Sequence, residues 1–235
     1  MTMMEDEAVF SVIAQCFAPV DAAEWEQITK PAKWCDFLDS ARRAIQDEKS
    51  FGKQTSAISR VGKRCPLQEF LSAGEVDALF APPTFEEKCA FASQHFVGGL
   101  PDSVMPVESL YTAWSQSLKA ETPFSCQTGL YLGDSAIYMR ELVERMGMEV
   151  PAGFEAYPDH LALELDLVAV MLRSGMSGQA QQFLMERFEW LTAFRMQLLR
   201  IEEDARFYIG LVDVLVGIRA QQGLVEASVD HGSTI

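Results

Sequence analysis

Apolar positions recur along this chain at three- and four-residue intervals, the spacing that gathers side chains on one face of a helix. Val9, Ile13 and Cys16 mark a first helix within residues 5–17. Asp21 with Glu24 three places on forms a capping-box pair for a short helix around Trp25. Pro31 opens another through Trp34, Leu38 and Ile45. Residues 68–80 predict a helix stopped by Pro82-Pro83, and Thr84-Phe85-Glu86-Glu87 caps one that ends at Gly98-Gly99. A loop at 100–106 feeds a predicted helix over 107–118 that carries Tyr111 and Trp114. Gly133-Asp134 starts the next, with Ile137, Tyr138, Leu142 and Met146 at helical spacing and Gly147 as its C-cap.

Residues 148–157 break the pattern with Pro151, Gly153 and little periodicity, and they read as a hinge. Helical order returns abruptly. Pro158 is placed at the helix start, where its missing N–H costs nothing, and Asp159 in the first turn, where a carboxylate suits the helix dipole. Leu161, Leu165, Val168 and Leu172 share one face, and the remaining faces are also mostly apolar, so this helix is expected to be buried nearly all round. One further helix is predicted from about Gly178 through Phe183, Phe188 and Leu191 to Leu199. The last spans 202–220, with Phe207, Leu211, Val214 and Ile218 on one face.

Strand signals are nearly absent, with no Asn-Gly or Asp-Gly turn between alternating runs, and no repeat of 20–50 residues is found. The expectation is an all-α fold: a single globular bundle of roughly ten helices. It divides into an N-terminal helical region (1–147), a hinge loop (148–158), a C-terminal helical region (159–222) and a flexible tail (223–235).

Composition narrows the function. The 235 residues are 49% hydrophobic, ample for a core, and the formal net charge is −15. That charge argues against non-specific binding to nucleic acid and to anionic membrane surfaces. It is unevenly spread. Nine of the nineteen basic residues lie between Lys30 and Arg64, a solvated face or a patch for an acidic partner. From Cys65 to Leu118 the only base is Lys88, and from Met146 to Leu172 there are five acids (Glu149, Glu155, Asp159, Glu164, Asp166) and no base. Five widely spaced cysteines without a Cys-x-x-Cys pair fit reduced thiols in the cytoplasm, not a metal site. Residues 1–17 are acidic and lack the basic start of a secretory signal; acids interrupt every long apolar run, so no membrane span is expected.

Catalytic signatures are missing. His95, His160 and His231 form no His-x3-His pair, and Gly-x-Ser-x-Gly, a phosphate loop and Gly-x-Gly-x-x-Gly are absent. Asp159, His160 and Glu164 can be imagined as an acid–base cluster, but such chemistry needs a pocket and a matched pKa. No enzyme, no cofactor and no metal are expected. Tyr111, Trp114, Phe124, Tyr131 and Tyr138, beside acidic segments, suit a basic, partly apolar peptide held in a groove.

Four segments, in order, carry a family likeness: Glu108-Ser109-Leu110-Tyr111; Tyr131-Leu132-Gly133-Asp134-Ser135; the stretch Glu155-Ala156-Tyr157-Pro158-Asp159-His160-Leu161; and Phe183 to Phe194 with Glu189-Trp190-Leu191. Together they resemble the TorD/DmsD/NarJ-type family of cytoplasmic maturation chaperones for molybdenum enzymes, over roughly residues 75–220. Arg187 departs from the histidine that many members carry. The resemblance implies binding of a client oxidoreductase, through its twin-arginine signal peptide or N-terminal region, until its cofactor is in place. It implies as binding residues Glu108, Ser109, Tyr111, Trp114, Gly133, Asp134, Tyr157, Pro158, Asp159 and His160, with Asp134 and Asp159 offering carboxylates to guanidinium groups. A monomer with a possible domain-swapped homodimer is expected from the hinge. Two rival readings stay open: a nucleotide-binding or hydrolytic protein using the Asp159–His160 corner, and a helical assembly factor that touches only the client's folded body.

Overall fold

The computed structural model describes residues 7–45, 81–115 and 125–230. Among them are nine α-helices, two single 3-10 turns and no strand; an antiparallel bridge between Val107 and His160 is the extended pairing present. Helix α1 spans Glu7–Phe17, α2 Ala22–Thr29, α3 Pro31–Ile45, α4 Phe85–His95, α5 Asp134–Arg145, α6 Leu161–Arg173, α7 Ser177–Arg187, α8 Leu191–Leu198 and α9 Arg206–Asp230.

The capping boxes form as expected. Asp21 accepts from Glu24 N–H at 2.8 Å while Glu24 reaches back to Asp21 N–H at 3.0 Å. Thr84 and Glu87 do the same at 3.2 and 2.8 Å. Each box satisfies two orphan donors of a helix start.

Helix α6 is the axis of the molecule. Leu161, Leu165, Val168 and Leu172 are all fully buried, and from Leu161 to Leu172 only Leu163 and Val170 are half-buried and only Asp166 is exposed. Its chief neighbour is α1, which lays Val9, Phe10 and Ile13 along it. One core cluster therefore runs through residues on both sides of 148–158. Phe17 of α1 meets Phe194 of α8 and Tyr208 of α9 at ring separations of 6.0 and 5.5 Å, which locks the first helix to the last two.

Five expectations need correction. The helix predicted over 107–118 is a 3-10 turn at Glu108–Leu110 followed by an irregular path of turns and bends to Ser115. The N–H groups that a helix would pair internally are bonded elsewhere, Trp114 N–H to Gln127 O (2.9 Å) and Ser115 N–H to Ser125 O (3.0 Å), and Glu108 N–H is held by Asp159 O (3.0 Å). Helix α5 forms, but it buries Ala136, Met139 and Val143; Ile137 and Tyr138, placed on the apolar repeat, face outward. Pro158 does not start α6, because His160 is its N-cap and Asp159 lies before it. The single helix expected over 178–199 is two, split by a 3-10 turn at Phe188–Trp190 that lets Phe188 and Trp190 both turn inward. Helix α9 starts at Arg206, after Asp204 has accepted its N–H (3.1 Å), and continues to Asp230. The predicted helix at 68–80, the basic stretch at 46–64 and the end of the 107–118 segment lie outside the described residues.

Candidate functional site

Two helix starts bring the ten candidate residues together. At the first, the N-terminus of α6, His160 Nδ1 accepts the Ala162 N–H at 3.1 Å. That bond fixes the neutral tautomer with its proton on Nε2. Burial drives the ring's pKa down to about 3, so His160 is a neutral cap at physiological pH, packed edge-to-face on Phe154 at 5.1 Å. Asp159 is 1% exposed, and its Oδ2 accepts the Ser109 N–H at 2.7 Å. Its backbone carbonyl takes the Glu108 N–H. Asp159 thus clamps the Glu108–Leu110 turn to the mouth of α6 from both its backbone and its side chain, and Pro158 is buried beside it.

Behind this clamp lies a buried ionic knot. Glu108 Oε2 pairs with Arg187 of α7 at 2.5 Å, with the side chains 2% and 11% exposed. Glu164 of α6 is fully buried next to Glu108. Burial first, and then the Glu108 carboxylate, push the Glu164 pKa well above the usual carboxyl range. Burial raises Glu108 as well, opposed by the Arg187 guanidinium. Glu108 and Glu164 do not readily ionise together beside one guanidinium at low dielectric, and Glu164 is the one that keeps its proton. The Glu164 proton is shared with the Glu108 side chain in a hydrogen bond, while Ser109 Oγ, Asp159 Oδ1 and Arg187 Nε remain without one. The histidine's acceptor nitrogen is spent on Ala162, and both Asp159 and His160 are closed from solvent.

The second start, at α5, is built differently. Gly133 is its N-cap, and a Cβ there would stand 2.7 Å from Trp114 O, so only glycine allows the two backbones to approach. Asp134 N–H donates to that same carbonyl at 2.8 Å, while its Oδ2 accepts from Ser115 Oγ at 2.9 Å. Trp114 Nε1 donates to Tyr131 O at 3.2 Å. These bonds hold Leu132 at φ +59°, the left-handed region that a leucine rarely occupies. The result is an outward-facing apolar strip: Tyr131, Leu132, Ile137 and Tyr138 are 39%, 48%, 50% and 41% exposed.

Tyrosines join the two starts. The Tyr157 ring lies 5.4 Å from that of Tyr131. Tyr131 Oη donates to Met105 Sδ and Tyr111 Oη to Met105 O, at 3.2 and 3.0 Å. Tyr111 itself stacks on Trp190 at 5.4 Å and belongs to the packing rather than the surface. Arg187 ends 4.9 Å over the Tyr138 ring, so the buried knot touches the exposed strip from beneath. Glu149 and Glu155 are exposed and share a shallow depression with Arg140 and Glu144 of α5. Lys88, the only base from 65 to 118, is turned inside and donates to Ala18 O at 2.7 Å.

Of the ten candidates, Trp114, Asp134, Tyr157 and Tyr111 keep some access to solvent; Glu108, Ser109, Gly133, Pro158, Asp159 and His160 are buried. Sequence reasoning did not place Arg187, Leu132 or Ile137 at the site. A signal existed for Arg187, the departure from the family pattern within a candidate segment. For Leu132 none existed, since nothing in a leucine announces a positive φ. Among the described residues no helix is long and apolar enough to cross a membrane. Residues 88–200, which contain all ten candidates, match the family described as nitrate reductase delta subunit. No curated protein matches the chain.

Proposed function

We propose that this protein is a cytoplasmic, client-specific chaperone that holds the twin-arginine signal or N-terminal region of a molybdenum-cofactor oxidoreductase during maturation; the match of residues 88–200 to the nitrate reductase delta subunit family, the NarJ/TorD type of molybdoenzyme maturation chaperone, supports this reading. The observation that carries the reading is the strip Tyr131, Leu132, Ile137 and Tyr138, four large apolar side chains left open by a backbone fixed in place beneath them. Soluble domains seldom leave such side chains contiguous without a use for them.

In this reading the apolar stretch of the signal lies on the strip, with Tyr157 and Trp114 at its edge. The exposed carboxylates Glu149 and Glu155, with the half-buried Asp134, face the arginine pair. Asp159 and His160 act from below: they position the Glu108–Leu110 turn and do not touch the client. The protein acts mainly as a monomer, with a slowly exchanging swapped dimer through residues 148–157.

A titration of the full chain with client N-terminal peptides at low and high salt tests this. Changing both arginines to lysine weakens binding modestly, because lysine keeps the charge and loses the fork. Changing both to alanine weakens it more. Removing the apolar stretch weakens it most, since burial contributes about 25 cal/mol per Å² before ordering costs. An affinity indifferent to all three changes overturns the reading.

A further inference from the structure

Gly98, in the turn that follows α4, meets the apolar strip at Tyr131. Its φ lies outside the left-handed region that its neighbour Gly99 occupies at +87°, so the backbone itself does not call for glycine at 98. Space does. A Cβ on Gly98 would stand 2.5 Å from Tyr131 Oη, 3.2 Å from Met105 Sδ and 3.5 Å from Tyr131 Cζ. The hydroxyl end of Tyr131 therefore rests on bare main chain.

That hydroxyl is already spent. It donates to Met105 Sδ at 3.2 Å, and Met105 is 4% exposed. The Tyr131 carbonyl is held in turn by Trp114 Nε1. With its hydroxyl on Met105, Tyr131 presents its ring outward, and the Tyr157 ring stands against it at 5.4 Å and 56°. Two tilted rings make a corner with the shape and surface for an aliphatic side chain. Tyr131 offers no hydrogen-bonding group there.

We infer that Gly98 is a positioning residue of the client surface: its missing side chain seats Tyr131 on Met105, so that the Tyr131–Tyr157 corner receives an aliphatic side chain from the apolar stretch of the client peptide. The inference rests on the client-peptide reading. It adds to that reading a residue that does not touch the client and a chemical class for the contact at Tyr131.

Alanine at 98 has a cheap escape. The atom it would strike is the far end of an exposed side chain, so Tyr131 swings aside and the main chain stays. The fold keeps its stability while the corner loses a wall. Removing the hydroxyl relieves the same clash, because the Cζ at 3.5 Å is in ordinary contact and the Met105 thioether yields by a few tenths of an ångström.

The test is a double-mutant cycle on the full chain, read by calorimetric melts and by titration with a peptide that carries an arginine pair followed by a leucine-rich stretch. Gly98→Ala melts within a few degrees of the parent and weakens the peptide about five- to tenfold. Tyr131→Phe keeps the ring but loses its tether, and it weakens the peptide about two- to threefold. Adding Gly98→Ala in that background costs no more than about twofold further. Replacing the leucines of the peptide by serine, one at a time, finds a position at which the Gly98→Ala penalty disappears. One arm needs no peptide: the nuclear Overhauser effect between the Met105 methyl and the Tyr131 ring, assigned by its loss in Met105→Leu, fades in Gly98→Ala and returns in the double variant. A parent that binds while Gly98→Ala binds equally well overturns the inference and leaves the client reading standing. So does an equal cost of Gly98→Ala in both backgrounds, a penalty that no serine position removes, or a Met105–Tyr131 effect that persists in Gly98→Ala. Abolished binding in Tyr131→Phe puts the hydroxyl and not the ring on the client and overturns the inference as well. A parent that binds no such peptide overturns the client reading, and the inference with it.

Discussion

The starts of α5 and α6 were drawn from motifs of the same kind, a loop ending in an aspartate at a helix mouth, and the fold has turned them in opposite directions. At α6 the aspartate, the histidine and the preceding proline face inward and hold a turn of the chain in place. At α5 a glycine hidden against Trp114 and an aspartate tied to Ser115 hold a tyrosine, two aliphatics and a second tyrosine out in solvent. A motif thus says where chain segments meet. Burial says whether the motif's side chains support the surface or form it. The two roles separate under mutation: changes at α6 should lower stability first, and changes at α5 should lower binding first.

The largest effect is expected at the ionic knot behind α6. Glu108→Ala leaves Arg187 charged and nearly buried without its partner, a change that costs about 3–5 kcal/mol. The paired change Glu108→Leu with Arg187→Met removes both charges and should recover much of that loss. Chemical denaturation of the single and double variants measures the coupling. If Glu108→Ala unfolds at the same denaturant concentration as the parent, the knot is not part of the support.

Next in size is the clamp. Asp159→Ala strips the Ser109 N–H of its acceptor within the core, for about 1–3 kcal/mol. Asp159→Asn, which retains an oxygen acceptor, should lose less. Client affinity in Asp159→Ala should fall only as far as the Glu108–Leu110 turn loosens. An Asp159→Ala protein with native melting temperature and abolished peptide binding would return this residue to the surface and reverse the assignment of the two corners.

The pH dependence is a gentler probe of the same contrast. Glu164 has a raised pKa in the fold, so the folded chain holds that proton more tightly than the unfolded one. Its stabilising contribution is full below the unfolded value near 4.5 and is lost as pH rises toward the raised folded value. His160, lowered to about 3 from 6.5, works the other way, and its contribution is lost as pH falls through that window. Each slope is at most about 1.4 kcal/mol per pH unit. Glu164→Gln should therefore gain stability over the parent as pH rises above 4.5, and His160→Asn, which keeps a capping oxygen, should flatten the acid limb. Parallel curves for all three proteins would mean that neither group is desolvated as the structure has it.

These differences also mark how much could be read in the chain itself. The buried stripe of α6 was legible because Leu161, Leu165, Val168 and Leu172 repeat at the helical period and no competing pattern exists. Both capping boxes were legible because their chemistry is local. Residues 107–118 misled because Tyr111 and Trp114 fall at helical spacing, while the bonds that decide their path come from Asp159, Ser125 and Gln127, distant in sequence. In α5 the apolar count on two faces is similar, and only the packing of Met139 and Val143 against the core chooses between them. The candidate residues were found as a neighbourhood; their division into buried and open was not, because exposure belongs to the assembled fold.

The smallest stability effect, and the sharpest test of the comparison, is expected at Leu132. Its backbone sits at φ +59°, which costs a leucine about 1–2 kcal/mol. Glycine removes that strain but gains freedom in the unfolded chain, worth about 1 kcal/mol in the other direction. Leu132→Gly should therefore melt within a few degrees of the parent. Ile137→Ser, half-exposed on the same strip, should also change stability by no more than about 0.5 kcal/mol. Both remove apolar area from the surface on which the client peptide is placed, so both should weaken its binding, and together by more than either alone. Calorimetric melts and peptide titrations on the same samples decide it. If Leu132→Gly and Ile137→Ser leave affinity untouched while Asp159→Ala abolishes it at constant stability, the client meets α6 and not α5, and the outward strip serves another partner.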